Sequence, residues 1–157
     1  MNALPTRSGH RTFVWPCLVM LALALAALAT PASAAPMRDT RPSEAFRMLA
    51  REIKNDMQAG DYIKAENGAR RLYSQYAESG NGIESATSTT LLGRVLREQG
   101  KYAEAETLLR QALARRDKLL GETHDQTIGN RFLLAKTLIP QGKYAEADEA
   151  LKRALDA

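Results

Sequence analysis

The sequence predicts an all-α fold: an α-solenoid of about three stacked helical hairpins behind an N-terminal secretion signal. Three observations carry this expectation. A long segment recurs 42 residues downstream of itself, apolar residues within each copy are spaced by three and four, and the first 34 residues read as a leader.

Residues 1–34 show the three parts of a signal peptide in order. Arg7 and Arg11, with His10, make a basic start, and the apolar run from Cys17 to Ala29 follows. That run is roughly 13 residues, short of the ~20 that a membrane-spanning helix needs. Pro31 breaks it, and Ala32-Ser33-Ala34 fits the small-x-small pattern of a cleavage site. Cleavage after Ala34 leaves about 123 residues: a short linker at 35–42 and a repeat domain at 43–157. An uncleaved N-terminal anchor is the alternative. The one cysteine, Cys17, lies in the leader, so the processed chain has no disulfide, thiolate ligand or thiol nucleophile. Losing Arg7 and Arg11 also takes the formal charge from +4 close to neutrality, which removes any global argument for nucleic acid.

Within the repeat domain, Gln99-Gly-Lys-Tyr-Ala-Glu-Ala-Glu106 recurs as Gln141-Gly-Lys-Tyr-Ala-Glu-Ala-Asp148. Leu91, Leu92, Leu96, Leu109, Ala112 and Leu113 find Leu133, Leu134, Leu138, Leu151, Ala154 and Leu155 at the same shift. Upstream, Gly60-Asp61-Tyr62 and Ala65-Glu66 answer Gly100-Lys101-Tyr102 and Ala105-Glu106 at a shift of 40. A period of this size means supersecondary units that cannot bury their apolar faces alone and cover one another by stacking. The units fall at about 43–79, 84–121 and 125–157.

Helices are expected at about 43–58, 62–78, 84–99, 102–119, 126–140 and 143–156. Gly100 separates the two segments of the second unit, where a left-handed residue can end one helix and reverse the chain. Ser43 and Asp125 have the character of N-caps. Gly80-Asn81-Gly82 and Gly121-Glu122-Thr123-His124 separate the units, and Pro140 should shorten or kink the helix it closes.

The pattern Leu92-Gly93-x-x-Leu96, Gly100-x-Tyr102 and Ala105-x-x-x-Leu109-x-x-Ala112 resembles the tetratricopeptide repeat. Thr89 stands at that family's leading Trp position and Leu109 at its usual Phe. The 42-residue spacing resembles the long-repeat, kinesin-light-chain-like subfamily, whose eight extra residues lengthen the second helix by up to about 12 Å. Leu119 and Leu120 would keep that extension packed. Members often carry two groove-facing asparagines that hold a peptide backbone. Here the matching positions are Thr90 and Leu91, then Phe132 and Leu133, so that mode does not carry over.

In such stacks the first helices line a groove, and residues at equivalent positions form a ladder along it. Lys54, Arg94 and Lys136 make one basic ladder, with Arg47 and Arg97 one face-step away. Phe132 is the candidate apolar anchor, with Met57 and Ile139 expected on the same surface. The ladder suits an acidic peptide or a C-terminal carboxylate from a protein partner. Three exposed ion pairs at up to ~1 kcal/mol each fall short of even millimolar affinity, so apolar contacts must contribute.

Neither catalysis nor a cofactor or metal is expected. His124 is the one histidine outside the leader and sits in a loop, Glu104 and Glu106 lie on different helix faces, and there is no metal-ligand cluster, nucleophile motif or phosphate loop. Arg70-Arg71 and Arg115-Arg116 read as solvated helix faces. The reading is a periplasmic scaffold or adaptor that binds a peptide segment of an envelope partner, with no nucleic acid and no stable membrane insertion. A self-assembling structural protein is the alternative, because the final helix carries Leu151, Ala154 and Leu155 with no polar capping helix after it.

Overall fold

The computed structural model describes residues 41–78 and 82–156. The expected signal and all but the last two linker residues lie outside these. Six α-helices follow one another within the described residues: α1 (Glu44–Gln58), α2 (Tyr62–Tyr76), α3 (Gly82–Glu98), α4 (Tyr102–Leu120), α5 (Asp125–Leu138) and α6 (Tyr144–Leu155). They pair as α1/α2, α3/α4 and α5/α6, and each pair packs on the next. The first helices also touch one another, α1 on α3 and α3 on α5, forming an inner layer. No described helix is long and apolar enough to cross a membrane.

Local chemistry explains the helix ends. The Ser43 hydroxyl accepts from the Phe46 amide, as an N-cap should. Ser43 also donates to Glu84 from its amide (2.7 Å) and hydroxyl (2.6 Å), which ties the start of α1 to the first turn of α3. Gly100 has φ of 77°, and the Lys101 amide donates to the Leu96 carbonyl at 2.9 Å, closing α3 with a left-handed turn that a β-carbon would strain. Pro140 shortens its helix: α5 stops at Leu138 and a 3-10 turn, Ile139–Gln141, follows, ending on left-handed Gly142. The α5 cap differs from expectation by one residue. His124, not Asp125, is the N-cap, with its Nδ1 accepting from the Gln126 amide at 3.1 Å.

Apolar burial falls into two clusters. One joins Phe46, Ile53, Leu72, Leu92, Val95 and Leu96 across the first two units, with Phe46 edge-on to Tyr76 at 5.0 Å. The other joins Leu109, Leu134, Ala135, Leu138 and Ala147 across the last two. Where the family places a large aromatic, Thr89 is fully buried with its hydroxyl on the Ser85 carbonyl at 2.8 Å, and Thr90 does the same to Ala86. These small residues satisfy their own polar atoms while letting α3 run through the middle of the stack.

The joints between units repeat one set of contacts. At the first, Gln99 Nε2 donates to the Tyr62 carbonyl and Lys101 Nζ to Glu66, both at 2.9 Å, while Arg70 pairs with Glu66 at 2.7 Å. At the second, Gln141 Nε2 (2.9 Å) and Lys143 Nζ (2.7 Å) both donate to Glu106, which also pairs with Arg110 at 3.0 Å. The Lys101 hydrogen bond, aided by Gln99 and Arg70, pulls the Glu66 carboxyl down to about 2 from 4.5. At Glu106 burial works to raise the pKa, but the bonds from Lys143, Arg110 and Gln141 outweigh it and the net direction is down.

Acid sensitivity follows. A carboxyl depressed on folding contributes stability above its unfolded pKa and loses that contribution as pH falls through the folded value. Between about pH 5 and pH 2 the first joint should therefore weaken. Urea unfolding across that window should show a smaller decline for Glu66→Gln than for wild type; equal declines would exclude Glu66 as a source of acid sensitivity.

Candidate functional site

A groove of about 1220 Å³ runs along the inner layer. α1 supplies Phe46, Arg47, Ala50, Arg51 and Lys54. α3 supplies Ile83, Thr87, Thr90, Leu91, Arg94 and Arg97, and α5 supplies Gln126, Gly129, Asn130, Phe132, Leu133 and Lys136. The long α4 reaches in from behind with Arg116, Leu119 and Leu120, and Arg41 and Pro42 stand at one end. Helical periodicity turns these side chains to one side of each first helix, and stacking lines the helices up.

The structure brings Lys54, Arg94, Lys136, Arg47, Arg97 and Phe132 together on this groove. Phe132 is half-buried, and Leu91, Leu119, Leu120 and Leu133 make further apolar lining around it. The two companions expected beside Phe132 do not share the groove. Met57 is tucked against the first apolar cluster and lines a smaller adjoining pocket of about 430 Å³ that shares Lys54 and Arg94. Ile139 sits on the 3-10 turn, 45% exposed, outside the groove lining.

Charge is the groove's distinguishing property. Among the described residues, eight that line it are Lys or Arg, and none is Asp or Glu. Arg47 pairs with Glu44 on its own helix and Arg97 with Glu98. Arg51, Lys54, Arg94 and Lys136 take part in no ion pair among the described residues. Summed in a concave wall of low dielectric, such charges focus a positive potential where a ligand would lie.

Arg116 overturns the solvated-face reading of Arg115-Arg116. It is 7% exposed, donates to the Gln126 carbonyl at 3.1 Å and to Thr87 Oγ1 at 3.5 Å, and leaves its Nε without a partner. No carboxylate among the described residues accompanies it. Burial alone pulls its guanidinium down to about 10, still charged at neutral pH, so an unneutralised cation sits in the groove floor. Arg115 is also half-buried, donating to Ser85 Oγ at 2.8 Å. Asn130, also in the groove lining, is fixed structurally: its amide donates to the Leu109 carbonyl at 2.9 Å.

Sequence reasoning missed Arg41, Arg51 and Arg116. Neither a ladder position nor a motif marks them: the positions equivalent to Arg51 are the apolar Leu91 and Leu133.

No curated protein matches the chain. A family model of the tetratricopeptide repeat matches residues 55–118 and again 84–157. The paired helices, the glycine-closed turns and the inner layer of first helices agree with that match over the same residues. By fold and by sequence pattern, the chain belongs to the tetratricopeptide repeat family, with a 42-residue spacing consistent with its kinesin-light-chain-like branch.

Proposed function

We propose that this protein-interaction scaffold holds an acidic peptide segment of a partner protein in its basic groove, and that the leader directs it to the cell envelope, where that partner resides. The observation that carries the groove reading is its one-signed lining: eight cations and no carboxylate among the described residues, with apolar patches between them. A peptide with spaced acidic side chains and an aromatic or aliphatic anchor complements all three features. The leader reading rests on the basic start, the short apolar run and the Ala32-Ser33-Ala34 site.

A peptide array of matched acidic, neutral and basic 12-residue sequences, each with one Phe, tests the groove reading against the folded domain. Acidic members should bind preferentially, and raising salt should weaken them. Changing Lys54, Arg94 and Lys136 together to Glu should cost about 100-fold or more, since each exposed pair contributes up to ~1 kcal/mol and reversal adds repulsion. Equal binding by all three peptide classes, or by wild type and the triple variant, would exclude it.

A further inference from the structure

The joint chemistry described above has two halves. The later unit brings a Gln-Gly-Lys turn, and the earlier unit's second helix brings a Tyr carbonyl and a Glu already paired with an Arg one turn on. On α6 the second half occurs a third time. Tyr144 is 68% exposed, and Asp148 pairs with Lys152 at 2.7 Å, both open to solvent. Leu155 beside them is 74% exposed, whereas Leu113, its equivalent in the second unit, is partly buried against the Leu134 cluster. At the other end the first half is missing. The first unit's turn reads Ala59-Gly60-Asp61, with no side-chain amide and a carboxylate where the others have lysine. Asp61 instead caps α2, accepting from the Lys64 amide at 3.0 Å.

We propose that the outer face of α6 is a docking surface for a helical hairpin of a partner chain whose turn carries Gln-Gly-Lys. Its lysine reaches Asp148, its glutamine reaches the Tyr144 carbonyl, and its first helix covers Leu155 and Leu151. A second copy stacked head to tail does not meet this requirement, because it would set Asp61 against Asp148, a like-charge contact with no amide donor beside it. The same asymmetry gives the surface its polarity. The inference is independent of what the groove holds.

The test uses a labelled peptide of residues 122–157, which contains Gln141-Gly-Lys143 between its two helices, titrated into the full chain. Saturable binding is expected, at least tenfold weaker to Asp148→Lys, restored when the peptide carries Lys143→Glu, and also weakened by Leu155→Arg, a substitution at an exposed position that leaves the fold intact. In a second arm a copy of residues 116–157 is fused after Ala157, which keeps the 42-residue register and makes folding of the added hairpin intramolecular. Docking should raise the urea m-value by roughly a third, in proportion to the added surface buried. An unchanged m-value with a protease-labile extension overturns the proposal, as does peptide binding indifferent to the charge swap. Concentration-dependent oligomers of the wild-type chain that Asp148→Lys dissolves would overturn the choice of occupant.

Discussion

Replacing Leu109 with alanine is expected to lower the unfolding free energy by about 2–5 kcal/mol, the range for leucines whose cavity cannot collapse. Leu109 is fully buried and joins the second apolar cluster, whose other members come from α5 and α6. It also lies directly over Gly93, where a β-carbon would come within 3.0 Å of its Cγ, so one side chain fills the space among α3, α4 and the next unit. Helices on several sides are held by other contacts, which limits collapse into the vacated volume. The family's usual aromatic at this position would overfill it against α3 unless Gly93 and its surroundings moved. Urea melts of wild type and Leu109→Ala check the value; a loss under 1 kcal/mol would mean that the two halves of the stack are coupled elsewhere.

Arg116→Met is expected to separate stability from binding. Replacing the arginine gives up the two hydrogen bonds it donates, but it also removes a buried charge that no carboxylate among the described residues offsets. Apolar replacements of buried charges are often neutral or stabilising. The melting temperature should therefore hold or rise. Affinity for an acidic peptide should fall about 10-fold or more, the worth of one charge-assisted hydrogen bond at the lower end of its range. Arg116→Lys should recover only part of this, since an ammonium cannot reproduce the planar fork that reaches Thr87 and Gln126. Loss of stability without loss of affinity would assign Arg116 to the framework and not to the ligand.

The repeat made most of the fold legible. A shift of 40 or 42 residues carries positional information directly, so every feature that recurs could be placed: the turns at Gly60, Gly100 and Gly142, the buried alanines, and the ladder of Lys54, Arg94 and Lys136. What has no counterpart in another unit could not be placed that way. Arg51 aligns with leucines, and Arg116 aligns with Tyr76 in the first unit, so neither stood out from the surface charges of a helix. Arg131 escaped for the same reason. It is 2% exposed and binds the Glu122 carbonyl at 2.8 Å and Asp117 at 3.0 Å, pinning the loop between α4 and α5, yet the residue at its second-unit position is Thr89. Side chains that bridge elements are set by tertiary geometry, and local spacing carries no trace of it. The α5 cap moved from Asp125 to His124 because an imidazole nitrogen can accept an amide as a carboxylate does.

One apolar cluster spans α1 to α4 and the other α4 to α6, so the domain behaves as a row of springs more than as a single block. In such a row each unit opens at a free energy set by its neighbours, and the two outer units, with one neighbour each among the described residues, open before the middle one. Amide protons of α1, α2, α5 and α6 should then exchange with solvent sooner than those of α3 and α4. Anything that settles on the third unit would slow that exchange at a distance, passing tension back through Glu106 and Leu109 to the middle of the row.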